Sequence, residues 1–215
     1  MRLLYTSILA ILFFAQHLAL AQYDPKALQV LDAMSNKYQN IGAYQANFSY
    51  TLINEQEGIS DRFDGNLLVM GDKFRLIMAG QEIFCDGKTV WTYIEEINEV
   101  NIDHYDANEM EMSPSKIYNA YKKGYKFLFI DEKTQNGQIF QTIDLVPEDT
   151  GSPFFKVRLS IGKKDLNLHF WEIFDKNGNR YQYQVKSFQE SASVNNTDFE
   201  FDVKKYPGVE VIDLR

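Results

Sequence analysis

The 215-residue sequence predicts a mainly β protein with some α: a single curved antiparallel sheet of about eleven strands, with helices over its concave side. Three observations carry this. Apolar residues alternate with a period of two in one segment after another. The segments lie close together and are joined by tight-turn signals, which gives an antiparallel meander. Helical spacing is confined to two stretches, and strands do not alternate with helices as a parallel sheet requires.

The chain opens with Arg2, an almost wholly apolar run from Leu3 to Phe14, and a small-residue site, Ala19-Leu20-Ala21. This reads as a secretory signal peptide over residues 1–21, since the apolar run is too short to span a membrane. Residues 22–215 then form one exported domain. Asp24-Pro25 is a helix start, with Asp as N-cap and Pro at the first helical position. Leu28, Leu31, Met34, Tyr38 and Ile41 follow as a helical stripe, and Gly42 ends it.

From Tyr44 the period is two: Ala46, Phe48, Tyr50 and Leu52 alternate with Gln45, Asn47, Ser49 and Thr51. Strands follow at Arg62–Met70, Lys73–Met78, Glu82–Cys85, Thr89–Ile94 and Glu99–Asp103, with turns at Gly71-Asp72 and Asp86-Gly87-Lys88. Ser113-Pro114 begins a second helix carrying Ile117, Tyr118 and Tyr121, closed by Lys122-Lys123-Gly124. Strands resume at Tyr125–Asp131, Gln138–Val146, Phe155–Ile161, Leu166–Phe174 and Arg180–Phe188; Asp175-Lys176-Asn177-Gly178 is a hairpin signal. A short last strand, Phe199–Val203, precedes a Pro207-Gly208 turn and the run Val209–Leu214. A sheet of this size must curl, because strands twist. Its concave face is apolar, and the two helices are its covers.

Without Arg2 the formal net charge of −8 becomes −9. So acidic a surface repels phosphate, which argues against nucleic acid and against anionic lipid surfaces. Cys85 is the single cysteine, so no intramolecular disulfide forms and it reads as a small hydrophobe at a strand end. Catalytic and phosphate-loop motifs are missing. His169 is expected on the face opposite Leu168 and Phe170, as a solvated or rim residue. His104, with Asp106, Glu109 and Glu111, lacks metal-ligand spacing. Glu95-Glu96 and Asp61/Asp64 read as turn and surface charges. No cofactor is expected.

Several segments together resemble the outer-membrane lipoprotein carrier family, the LolA-like periplasmic chaperones. They are Tyr44-Gln-Ala-Asn-Phe48, Phe63-Asp-Gly65-Asn-Leu67-Leu-Val69, Lys73-Phe-Arg75, the hairpin Phe84-Cys-Asp-Gly-Lys-Thr-Val-Trp-Thr-Tyr93, and Phe199-Glu-Phe201 followed by Tyr206-Pro-Gly-Val-Glu-Val-Ile212. The resemblance implies an open half-barrel that carries acylated lipoproteins, with the periplasm as its location. It would take them from an inner-membrane exporter complex, shelter their acyl chains, and pass them to an outer-membrane receptor. Family members carry a basic residue just after the strand matching Leu67–Met70, and it bonds the lid shut; here the stretch is Met70-Gly71-Asp72.

The faces expected to hold acyl chains follow from strand alternation. They are Phe48 and Tyr50; Leu67 and Val69; Phe74, Leu76 and Met78; and Trp91 and Tyr93, with Leu28, Leu31, Ile117 and Tyr121 from the lid. Such a carrier would act as a monomer without enzymatic chemistry. Other readings are a lipid- or lipoprotein-sensing module on the same fold, a carrier of a glycolipid in a dedicated export pathway, and an enzyme acting on lipids or glycans.

Overall fold

The structure is a computed structural model that describes residues 24–106 and 116–215. The expected signal peptide and the Ser113-Pro114 helix start lie outside these residues. Asp24 does cap a helix: its Oδ1 accepts from Lys26 N and Ala27 N at 2.8 and 3.3 Å, and helix α1 runs Pro25–Asn40. The same carboxylate accepts from Phe129 N at 3.1 Å, so the cap also fastens the helix start to the sheet. The helix ends one residue before expected. Ile41 is its C-cap in extended conformation, and no left-handed glycine is used.

Twelve strands among the described residues form one open sheet: β1 Tyr44–Asn54, β2 Ile59–Met70, β3 Lys73–Met78, β4 Gln81–Cys85, β5 Thr89–Ile94, β6 Glu99–His104, β7 Tyr125–Gln135, β8 Gln138–Pro147, β9 Phe154–Gly162, β10 Leu168–Asp175, β11 Arg180–Glu190 and β12 Glu210–Asp213. The spatial order is β12-β6-β5-β4-β3-β2-β1-β11-β10-β9-β8-β7. Two antiparallel meanders, β1 to β6 and β7 to β11, therefore meet at the β1–β11 pair. Only β12 is parallel to its neighbour, β6. The connection from β6 to β7 must cross the whole sheet, and its described part is a 3-10 helix, Ile117–Lys122. This turn replaces the expected second α-helix.

Ladder irregularities at Asn47/Phe48, Phe129/Asp131, Leu168/Phe170 and Phe174/Asp175 locally raise the twist of the sheet. On the outer face, Arg158 forks onto Asp144 at 2.7 and 2.8 Å, and Gln182 Nε2 donates to Glu172 at 2.9 Å. The inner face carries the main apolar cluster, from Phe127, Leu145 and Val157 on one side to Phe74 and Cys85 on the other, under α1 and the 3-10 helix.

The expected last strand Phe199–Val203 is instead a pair of 3-10 turns, Asn196–Phe199 and Val203–Lys205. Phe199 and Phe201 are buried by them. Phe201 and Tyr206 stack at 4.3 Å and join Phe84, Trp91, Tyr93 and Val100 in a second apolar cluster. Register puts this cluster on the outer face. Phe74, Cys85 and Val90 are cross-strand partners pointing inward, so Phe84 and Trp91 between them point outward.

At Gly65, opposite Phe48 in the β1–β2 ladder, an added Cβ would fall 2.4 Å from Phe48 Cζ. The phenyl ring lies across the neighbouring strand, and only a bare backbone allows it. Gly65→Ala should destabilise by about 1–3 kcal/mol, the usual cost of overpacking. In urea titrations its midpoint should fall with an unchanged slope, and adding Phe48→Leu should recover part of the loss.

Candidate functional site

The site is the space between the inner face and the two covers. Helix α1 buries Ala27, Val30, Leu31, Met34, Ser35 and Tyr38. The 3-10 helix buries Ile117, Tyr118, Ala120 and Tyr121. A cavity of about 20 Å³ remains between them and the sheet. It is lined by Tyr38, Tyr44, Ala46, Phe48, Leu67, Ile117, Tyr118, Leu168, Trp171, Val185 and Phe188. That is room for about one water molecule. The interior is largely filled by the protein's own side chains.

Of the residues expected there, Phe48, Leu67 and Ile117 line the cavity. Leu31, Val69, Phe74, Leu76 and Tyr121 are buried in the same cluster, while Tyr50 and Met78 are half-buried at its margin. Three are misplaced. Leu28 is 39% exposed, because Ala27 rather than Leu28 turns inward where the helix start is tied to β7. Trp91 and Tyr93 sit in the outer cluster, beneath the C-terminal segment.

Trp171, Tyr38, Tyr44 and Phe188 belong to the site although the strand pattern did not select them. For Trp171 the reason is the irregularity at Leu168/Phe170, which puts Leu168 and Trp171 on one face. His169 lies beside it, with Nε2 2.8 Å from Asp165 Oδ2 and its ring edge-on to Phe140 at 5.1 Å. It is a partly buried rim residue. Among the described residues no group of three or more His, Cys, Asp or Glu is arranged to hold a metal ion.

The lid is held down by polar contacts along its margin. Lys37 Nζ donates to Asp165 O and Asn167 Oδ1, both at 2.7 Å, and pairs with Glu190 at 2.6 Å. Leu168 N donates to Tyr38 Oη at 3.2 Å. The two covers are joined to each other by Tyr121 Oη to Asp32 at 2.5 Å and Ser35 Oγ to Asn119 at 2.7 Å. Asp72, in the β2–β3 turn, makes an ion pair with Lys116, which precedes the 3-10 helix. So the turn that lacks a basic residue supplies the acid, and the lid supplies the base.

Burial pushes the Tyr44 and Tyr183 hydroxyls well above the usual phenol range. It also pushes the Cys85 thiol up to about 11, against 9.0 ordinarily, although Gly87 N donates to its sulfur. Cys85 is completely buried.

The family model of the outer membrane lipoprotein carrier protein LolA matches residues 39–202. The chain belongs to the LolA family. It is 23% identical over 185 residues to an outer-membrane lipoprotein carrier protein of Halorhodospira halophila, covering 84% of each chain. An uncharacterized conserved protein from Thermus thermophilus overlays with a TM-score of 0.59, at 15% identity, over 87% of this chain and 99% of that one. A LolA superfamily protein from Nitrosomonas europaea gives a TM-score of 0.45 at 11% identity, over 82% of this chain and 98% of that one. This LolA-family member thus has the open half-barrel expected of it, and its lid pairing through Asp72 and Lys116 is built from this chain's own residues.

Two expectations follow. Lys116→Ala should speed amide exchange in Ile117–Lys122 while exchange in the β8–β9 core is unchanged; uniform acceleration would refute a local latch. The second concerns Cys85. Its folded pKa is raised, so its contribution is complete below about pH 9 and is lost as pH rises towards about 11. Alkylation at pH 8 should be slow in the folded protein and fast in guanidinium. Cys85→Ala should flatten the decline of stability between pH 9 and 11.

Proposed function

We propose that this protein is a periplasmic carrier that shields the acyl chains of lipoproteins against its concave face and delivers them to the outer membrane, without covalent chemistry. In this reading residues 1–21 direct export and are removed. An inner-membrane exporter complex loads the carrier, and an outer-membrane receptor unloads it. The observation that carries the reading is the nature of the lid. Its interior contacts are mainly apolar, with one buried hydrogen bond at Tyr38, and its charged fastenings lie on the rim where water can replace them.

An acyl chain gains roughly 0.8 kcal/mol per methylene removed from water. A cavity of about 20 Å³ admits no such chain, so loading displaces α1 and the 3-10 helix from the inner face. The chain then takes the places of Leu31, Met34, Ile117 and Tyr121. These residues lose part of their own burial when the cargo arrives and regain it when the cargo leaves. The exchange is near balance, which suits pick-up and release better than a rigid pocket would. Membership in the LolA family and the apolar interior support this reading together.

The test is transfer. The mature protein, loaded with a triacylated lipoprotein, should hold it in solution and give it up to acceptor liposomes bearing the receptor. Leu76→Glu, which places a carboxylate in the inner face, should lower loading at least tenfold in a protein whose circular dichroism is unchanged. Full loading by that folded variant, or a wild type that binds no acylated protein, would count against the proposal.

A further inference from the structure

Two hydrogen-bond donors that line the cavity are unpaired among the described residues. Tyr44 Oη and Trp171 Nε1 are buried and have no hydrogen-bond partner among the described residues. Both residues line the same otherwise apolar cavity. Neighbouring tyrosines differ: Tyr38 Oη accepts from Leu168 N, and Tyr121 Oη donates to Asp32. An unpaired buried donor is costly, and phenylalanine would fill the place of Tyr44 without it, as Phe48 and Phe188 do nearby.

Both rings are held in place. Trp171 stacks on Tyr183 at 4.5 Å with 5° between the planes. Tyr44 lies against Phe188 of β11 at 5.2 Å, a contact within the sheet that does not depend on the covers. The donors are therefore preorganised. Indole N–H can only donate. The Tyr44 hydroxyl keeps its proton because burial disfavours the phenolate. A ligand that satisfies both as donors supplies hydrogen-bond acceptor atoms. A carboxylate would bring an uncompensated charge into this apolar space, so the fitting acceptor is a neutral carbonyl.

A groove of about 260 Å³ adjoins the cavity, sharing Tyr38, Tyr44 and Tyr118 with it, and reaches Gly71, Asp72 and Lys116 at the lid margin. Tyr44 thus stands at the threshold between interior and outer groove.

We propose that Tyr44 and Trp171 are carbonyl-recognition donors on the inner face of the sheet, and that the site, once α1 and the 3-10 helix give way, takes ester-linked acyl groups, with an ester carbonyl at Tyr44, hydrocarbon along the inner face and the polar remainder towards Asp72 at the rim. This rests on the carrier reading above and adds a chemical preference to it. Plain hydrocarbon satisfies the apolar walls but leaves both donors unpaired; an acyl ester satisfies both requirements.

The experiment measures displacement of a bound fluorescent naphthylamine probe from the mature protein by methyl palmitate and by heptadecane, in wild type, Tyr44→Phe and Trp171→Phe. The ratio of ester affinity to alkane affinity should fall about 3- to 10-fold in each variant, the range a neutral hydrogen bond provides. With the carbonyl carbon of methyl palmitate isotopically labelled, the bound carbonyl stretch should lie at lower frequency in wild type than in Tyr44→Phe. Unchanged ratios and an unshifted stretch, with both ligands still displacing the probe, would overturn the donor assignment alone. If neither ligand binds the wild type, the carrier reading fails and this inference fails with it.

Discussion

Everything in this molecule answers to one constraint: a single open sheet has an apolar face that no second sheet covers. Twelve strands need a cover, and among the described residues the chain has one helix of sixteen residues and one short 3-10 turn to give that face. The covers bury a continuous set of side chains from Phe127 and Leu145 to Phe74 and Leu76. That burial is the largest apolar contribution to folding available here. It is also the contribution that a bound acyl chain would have to replace.

The topology makes such a replacement feasible. The two covers come from different parts of the chain, one before β1 and one between β6 and β7. Neither contributes a strand to the ladder, so both can leave the inner face while every β pair stays hydrogen-bonded. Their fastenings to the sheet are spread over its width: Asp24 to Phe129 on β7, Lys37 to Glu190 at the end of β11, and Lys116 to Asp72 between β2 and β3. Each such rim contact is partly solvated and individually weak. Together they hold both covers against the sheet.

Much of this was legible from residue order, and the failures have identifiable causes. Lys73–Met78 and Thr89–Ile94 match β3 and β5 end for end, because the turn signals Gly71-Asp72 and Asp86-Gly87-Lys88 beside short apolar runs leave little choice. Alternation says which residues share a face, but not which face is the inner one. Thr89–Ile94 is apolar on both faces, so Trp91 and Tyr93 could be placed only once the C-terminal Phe201 and Tyr206 were seen packed on them. Bulges defeat alternation itself, which is why Trp171 was missed. On α1 the apolar stripe is broad enough to include Leu28 or Ala27, and the tether of Asp24 to β7 decides in favour of the smaller residue. The ion pair of Asp72 with Lys116 joins residues 44 positions apart, and no local pattern announces it.

The two ends of the sheet are finished differently. At one, the short β12 is the border strand and lies parallel to β6. At the other, β7 ends the ladder, with Leu128 54% and Ile130 38% exposed and Lys126 and Lys133 nearby on the same strand. Unpaired amide and carbonyl groups along such a margin invite another strand to dock; here Asp24 takes up Phe127 O and Phe129 N, and the charged Asp131, Glu132 and Lys133 lie further along. At the β7 end, therefore, an added strand would meet a helix cap and a row of paired charges rather than an open ladder.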